Sequence, residues 1–134
     1  MNTRIEYSYR DGANYKQFGY IVITGQASQQ QVEALRGACM REDGHAYFVP
    51  ESVGMARLST GAWDDEIDHP FHILGDITLD SIEATDDRSI YDLIADFKSK
   101  NWEEEAVSHP GKNGTFNVMP IQRADAKAVA NIMR

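Results

Sequence analysis

The residues best suited to chemistry lie in a short connection near the N-terminus, YRDGANYK, residues 9–16. The guanidinium of Arg10 can bind a phosphate or carboxylate through two parallel hydrogen bonds, and Lys16 can add a point charge. Asp11 and Asn14 can hydrogen-bond ribose hydroxyls or a base edge, or they can close a turn with the backbone. These residue types therefore suit a small anionic ligand as well as an ordinary polar turn.

Aromatic residues accompany both groups of cations in the sequence. Tyr15 and Phe18 offer flat faces on which a base could stack. Arg57 and Trp63, in a later segment, could form a cation–aromatic pair, which would also suit a nucleotide. In the purely structural alternative, the guanidinium of Arg10 pairs with Asp11 or a nearby glutamate, and Tyr15 packs on the sheet. Residue chemistry alone leaves both interpretations open.

A second candidate segment is the acidic stretch WDDEIDHPFH, residues 63–72. Its carboxylate and imidazole side chains are those of Asp64, Asp65, Glu66, Asp68, His69 and His72. Zinc requires nitrogen or sulfur ligands in tetrahedral geometry. Pro70 excludes a regular helix through the two histidines, and a strand through His72 would turn their rings to opposite sides. We therefore expect no metal site. A solvated acidic loop and a ligand pocket in which His69 or His72 donates a hydrogen bond remain as alternatives.

Asp68 with His69 or His72 could also perform general acid–base chemistry, as in a small nucleotide hydrolase or lyase. A third alternative is a protein-binding inhibitor module that acts through its acidic surface. The sequence contains no GxxxxGK[ST], GxGxxG or GxSxG motif, and Cys39 falls on the apolar face of a predicted helix. A nucleophilic or phosphate-loop enzyme is therefore not indicated, and we predict no cofactor.

The pattern of apolar residues predicts an α+β single domain, with an antiparallel β-sheet and helices packed on one face. Ser28 and Ser89 are predicted helix caps, Gly75 a possible bulge, and Glu42 to Gly44 the end of the first helix. The segment from residue 51 to 70 is predicted to be a long loop. The predicted strands cover residues 4–10, 18–24, 45–49, 71–79 and 115–119, and the predicted helices cover 29–40, a segment from 90 onward and 123–133.

Length and charge limit the functional classes. The chain has 134 residues, a formal net charge of -8 and one cysteine. The acidic balance argues against a protein that binds DNA through its phosphates, but it permits one small anionic ligand held by a few local cations. A signal peptide and a membrane-spanning run are not evident, so the sequence predicts a cytoplasmic protein.

The succession of YRDGANYK, YFVPESVG and an acidic stretch that ends in DHPFH resembles a known family. It is similar to the phage Thoeris anti-defence sponge proteins of the first-described group, over residues 5 to about 102. The resemblance implies a non-enzymatic protein that sequesters cyclic ADP-ribose isomers made by TIR-domain proteins. It also implies a homo-oligomer, a dimer or hexamer, in the cytoplasm of the infected bacterial host, with cyclic trinucleotides as an additional ligand class at a second site.

The sequence thus predicts one nucleotide-binding domain over residues 1–134, with a core of about 4–102 and a C-terminal extension of 103–134. Arg10, Lys16 and Arg57 are the candidates for phosphate contacts. The other ligand-binding candidates are polar or aromatic, namely Asp11, Asn14, Tyr15, Trp63, His69, Phe71 and His72.

Overall fold

The computed structural model describes residues 1–59, 63–64 and 66–108, so the predicted strand 115–119 and helix 123–133 lie outside the described residues. The elements, in chain order, are β1 (Asn2–Arg10), β2 (Lys16–Ile23), α1 (Gln29–Gly37), β3 (Met40–Glu42), β4 (His45–Phe48), a 3₁₀ helix (Pro50–Val53), β5 (His72–Asp80), α2 (Ile90–Lys98) and α3 (Trp102–Ser108).

The described strands form one antiparallel sheet in the order β2-β1-β5-β4-β3. Together with three helices they confirm the predicted α+β class. β5 is inserted between β1 and β4, so the sheet joins strands that are distant in sequence. Long-range pairing of this kind places residues 2–8 beside residues 73–80.

Strict alternation in β1 sets the two faces of the sheet. Thr3, Ile5, Tyr7 and Tyr9 are buried, whereas the residues between them are only partly buried. Because successive side chains of a strand point to opposite faces, the buried set faces the helices. Arg10 and the other intervening residues lie on the opposite side of the sheet, which we call the second face.

The first two α-helices begin directly after the predicted cap residues, Ser28 and Ser89. The Ser28 side chain accepts a hydrogen bond from the Gln31 backbone N–H, and the Gln31 side chain accepts one from the Ser28 backbone N–H, which forms a capping box. Ser89 caps α2 in the same manner through the backbone of Asp92. Both helix starts are confirmed because the caps satisfy N–H groups that have no partner within the helix.

The first helix ends earlier than predicted. It stops at Gly37, and Met40–Glu42 forms strand β3, which pairs with β4. Asp43 and Gly44 have φ angles of 49° and 78°, the left-handed pair that a tight two-residue hairpin requires. The Asp-Gly pair therefore makes a β-turn, and its interpretation as a helix end was wrong.

The predicted bulge at Gly75 is confirmed. Tyr7 pairs with Leu74 and Ile5 with Ile77, so the register between β1 and β5 shifts across Gly75 and Asp76. A Cβ at Gly75 would lie 3.2 Å from the carbonyl oxygen of Glu6. Glycine therefore permits the close approach of the two strands at this point.

The core lies between the sheet and the helices. Phe48 packs against Phe97 of α2 and Trp102 of α3, with ring centroids 5.2 and 6.3 Å apart. Leu35 of α1 and Ala106 of α3 belong to the same buried cluster. Burial of these apolar side chains is the main stabilising term for the domain.

Candidate functional site

The loop between β1 and β2 is closed by the side chain of Asp11, which bonds to the loop backbone. Asp11 accepts hydrogen bonds through Oδ1 from the backbone N–H groups of Ala13 and Tyr15, at 2.9 and 3.0 Å. Asn14 has a φ of 70°, and the Gly12 N–H donates to the carbonyl of Ile67 at 2.7 Å. Asp11 therefore organises the loop, which is the turn-closing role that the sequence left open, and the loop is joined to the acidic segment.

The acidic segment is held against β1 by a tyrosine. Tyr9 donates its hydroxyl proton to Asp68 Oδ1 at 2.5 Å, and the Asp64 N–H donates to Asp68 Oδ2 at 2.8 Å. The pKa of Tyr9 is raised far above its usual value, mainly by burial and secondly by the neighbouring Asp68 carboxylate. This hydroxyl therefore remains protonated and serves as a structural donor.

Both histidines of the acidic segment are buried, with 1% and 0% of His69 and His72 exposed. His69 Nε2 lies 2.7 Å from the carbonyl oxygen of Arg10, so Nε2 carries the proton. His72 accepts from the Leu58 N–H at 3.1 Å through Nε2 and donates from Nδ1 to the carbonyl of Pro70 at 3.1 Å. Burial lowers the pKa of each imidazole to about 4.

The two rings do not face opposite sides, as a strand through His72 was expected to require. Both ring centroids lie 5.0 Å from that of Tyr9. His69 precedes β5, which begins only at His72, so strand alternation does not apply to the pair. The polar groups of Asp68, His69 and His72 are thus directed into the fold.

The remaining predicted residues are dispersed. Phe71 is fully buried and packs edge-on against Tyr47, while Tyr15 is 74% exposed. Trp63 is partly exposed, and Arg57 Nε lies 4.0 Å from Glu51 Oε2. Neither of the two cavities found among the described residues is lined by any of these four residues.

A cluster does form on the second face, where Arg10 and Lys16 lie directly opposite each other on paired strands. Phe18, next to Lys16 on that face of β2, is 77% exposed. A cavity of about 280 Å³ is lined by Ser8, Arg10, Lys16, Phe18, His45 and Ile73. Like charges directly opposite each other in a sheet repel, so an anion between them would be stabilising.

A second cavity adjoins the first. It has a volume of about 340 Å³ and is lined by Glu6, Tyr7, Ser8, Phe18, Gly19, Gly75 and Asp76. Ser8 and Phe18 line both cavities, and we call the combined depression the Phe18 groove. Each part is near the lower end of the range for small-ligand sites, about 300–1,000 Å³.

Arg10 and Lys16 of this groove were predicted from the sequence as ligand-binding candidates, and Phe18 as a face on which a base could stack, whereas the other groove residues were not predicted. Ile73 and Asp76 come from β5, which pairs with β1 across more than sixty residues of sequence. Only the order of the strands in the sheet could have revealed these neighbours, and no local pattern encodes that order.

Within the part of the chain that the structure describes, no group of three or more His, Cys, Asp or Glu side chains could hold a metal ion. The described helices are all too short or too polar to cross a membrane. No protein-family model, curated protein or solved structure matches the chain.

Proposed function

We propose that this protein is a non-enzymatic ligand-sequestering protein that binds a cyclic nucleotide, in particular a glycocyclic ADP-ribose isomer, in the Phe18 groove. The observation that carries the proposal is the cross-strand pair of Arg10 and Lys16 beside the exposed ring of Phe18. A nucleotide combines the two chemistries that such a site would recognise, an anionic phosphate and a flat aromatic base.

Each group has a defined role in this proposal. The guanidinium of Arg10 and the ammonium of Lys16 bind the diphosphate, where charged hydrogen bonds are stronger than neutral ones. Phe18 stacks on the purine, a contact worth about 1–3 kcal/mol per base. Because Phe18 is 77% exposed, its aromatic surface is available to a ligand without unfolding of the core.

The buried state of the acid–base candidates favours binding over turnover. Both nitrogens of His72 and the protonated nitrogen of His69 are hydrogen-bonded within the fold. Asp68 accepts bonds from Tyr9 and from the backbone of Asp64. A nucleotide hydrolase or lyase that uses these three residues would have to break those bonds before it could reach a substrate.

The biological role that we propose follows the resemblance to phage anti-defence sponges. The protein would act in the cytoplasm of the infected host, as a homo-oligomer, and remove an immune signal made by a TIR-domain protein. Sequestration requires tight binding, and nanomolar affinity corresponds to about -12 kcal/mol. Cyclic trinucleotides, bound at a second site, are an additional ligand class for the same experiments.

The test is to mix the protein with a cyclic ADP-ribose isomer, remove the unbound fraction by filtration, and denature the protein by heat. We expect the ligand to be depleted from the filtrate and released intact after heating, as chromatography with mass detection would show. Recovery of a cleaved product would support the enzyme alternative. Absence of depletion for cyclic ADP-ribose isomers and cyclic trinucleotides would refute the proposal and leave the protein-binding alternative.

Two variants locate the binding site. Lys16→Met should weaken binding about tenfold, or about 1.4 kcal/mol, and Phe18→Ala about tenfold or more. Lys98→Met is the matched control, since it removes the same charge from α2. Wild-type affinity of both groove variants would place the ligand elsewhere.

A further inference from the structure

The Phe18 groove carries positive side chains at one end and carboxylates at the other. The Arg10–Lys16 pair forms one end of the groove, and Ser8 lies opposite Phe18 in the next pair of this face. Glu6, one pair further, lines the other end with Asp76. Arg10 and Glu6 are four residues apart on β1, which corresponds to about 13 Å along an extended strand.

The carboxylates at the second end are positioned by the fold. Arg4 donates to Glu6 Oε1 at 3.3 Å, and its guanidinium lies over the Tyr20 ring at 4.0 Å from the ring centroid. Asp76 is exposed and follows the bulge at Gly75. This end therefore carries two carboxylates and one guanidinium, which itself bonds to Asp80.

The floor of the groove is formed partly by glycine. A Cβ at Gly75 would contact the Glu6 carbonyl at 3.2 Å, and a Cβ at Gly19 would lie 2.6 Å from Leu58 Cδ2. Both glycines line the cavity at the acidic end. The cavity of about 340 Å³ that they line provides the space for a ligand group beside the carboxylates.

We infer that the Phe18 groove selects ligands whose negative charge is confined to one end and whose opposite end carries hydrogen-bond donors. This inference rests on the proposed function and specifies the ligand class of the same site. Carboxylates only accept hydrogen bonds, so they can bind sugar hydroxyls or an exocyclic amine but repel a second phosphate. Acidic side chains hold ribose hydroxyls in other nucleotide sites for the same reason.

A matched pair of probes tests the inference. Adenosine 5′-diphosphate carries two phosphates at one end, whereas adenosine 3′,5′-bisphosphate carries the same number at two positions. We expect the wild-type protein to bind the 5′-diphosphate at least fivefold more tightly, measured by calorimetry. The double variant E6Q/D76N, which keeps side-chain size, should reduce this preference to less than twofold by strengthening the binding of the bisphosphate.

Two further probes show whether the ligand's hydrogen-bond donor to the carboxylates is the ribose hydroxyl or the base amine. Weaker binding of 2′-deoxyadenosine 5′-diphosphate would assign the contact to the ribose, and weaker binding of inosine 5′-diphosphate would assign it to the base amine. Either loss should be at least threefold and should disappear in E6Q/D76N. Equal affinities for all four probes in the wild type would overturn the inference.

The outcomes distinguish the two proposals. If the 5′-diphosphate binds and Lys16→Met weakens it, but E6Q/D76N leaves the preference unchanged, the groove binds nucleotides and the selectivity inference is wrong. If no nucleotide binds, or if both Lys16→Met and Phe18→Ala bind with wild-type affinity, both proposals fail. Circular dichroism of each variant provides the check on folding, and the wild-type preference is measured without any variant.

Discussion

The two buried histidines should make the stability of the protein depend strongly on pH. Burial lowers the pKa of His69 and of His72 to about 4, against about 6.5 in an unfolded chain. Between these values the unfolded chain binds more protons than the folded protein. The contribution to stability is therefore fully present above about pH 6.5, and it is lost progressively as the pH falls toward 4.

The geometry explains why protonation is unfavourable. A second proton on His72 would occupy Nε2, which accepts from the Leu58 N–H. A second proton on His69 would occupy Nδ1, a buried atom with no hydrogen-bond partner among the described residues. Both charged forms would thus be buried without an acceptor.

The size of this pH effect on the free energy of unfolding follows from the difference in bound protons between the unfolded and folded states. At pH 5.5 the unfolded chain binds about 0.9 proton more per histidine than the folded protein does. Each histidine therefore changes the free energy of unfolding by roughly 1 kcal/mol per pH unit, and the two together by roughly 2 kcal/mol per pH unit. From pH 6.5 to 4 the total loss is roughly 5 kcal/mol, comparable with the whole stability of a small domain, about 5–15 kcal/mol.

The assay is urea denaturation at several pH values between 5 and 7. His72→Gln, which keeps an acceptor for the Leu58 N–H, should halve the slope of unfolding free energy against pH. Val49→Ala is the control, because it removes buried apolar volume without a titratable group and should lower the curve with no change of slope. A wild-type slope below about 0.5 kcal/mol per pH unit at pH 5.5 would refute the reasoning.

Three further substitutions test the local structure by the same denaturation assay. Asp11→Ala should lower the unfolding free energy by about 1–2 kcal/mol, because two backbone N–H groups lose their acceptor, and an unchanged value would contradict the loop geometry. Arg88→Met should cost about 2–3 kcal/mol through lost bonds to Asp86, Asp96 and Val53, and Arg88→Lys should not restore it, because lysine lacks the planar fork. Gly44→Ala should cost about 1 kcal/mol at its φ of 78°, whereas Gly37→Ala at the end of α1 should be neutral or stabilising; equal effects would argue against the β3–β4 turn.

Local patterns predicted most of the elements correctly. Alternation in β1, the serine caps at Ser28 and Ser89, and the bulge at Gly75 each have a cause within a few residues of sequence. The Asp43–Gly44 pair was misinterpreted because the same dipeptide can end a helix or turn a hairpin. Only the pairing of β3 with β4 decides between the two.

The candidate site was predicted only in part, for a related reason. Arg10 and Lys16 flank one short loop, so their proximity is local. Asp76 reaches the groove because β5 pairs with β1, and the sequence carries no signal for that pairing. His69 and Phe71 were selected for residue type, but their burial depends on tertiary packing that residue type does not specify.

The structural and the ligand-binding interpretations of the first loop are compatible, because they use different atoms of the same residue. The carbonyl of Arg10 accepts from His69 Nε2 at 2.7 Å, while its side chain lines the Phe18 groove. His69 therefore fixes the backbone from which the guanidinium extends, although its buried ring does not line the groove. Replacement by a residue that cannot donate should disturb both stability and binding.

Two substitutions at His69 separate these effects. His69→Gln keeps an N–H donor for the Arg10 carbonyl and should bind adenosine 5′-diphosphate with an affinity within about twofold of wild type. His69→Leu fills the site with an apolar side chain, leaves that carbonyl without its donor, and should weaken binding at least threefold at pH 7.5, where the folded fraction is checked by circular dichroism. If folded His69→Leu protein bound the nucleotide with wild-type affinity, the position of the Arg10 side chain would not depend on this buried hydrogen bond, and Lys16 and Phe18 alone would define the site.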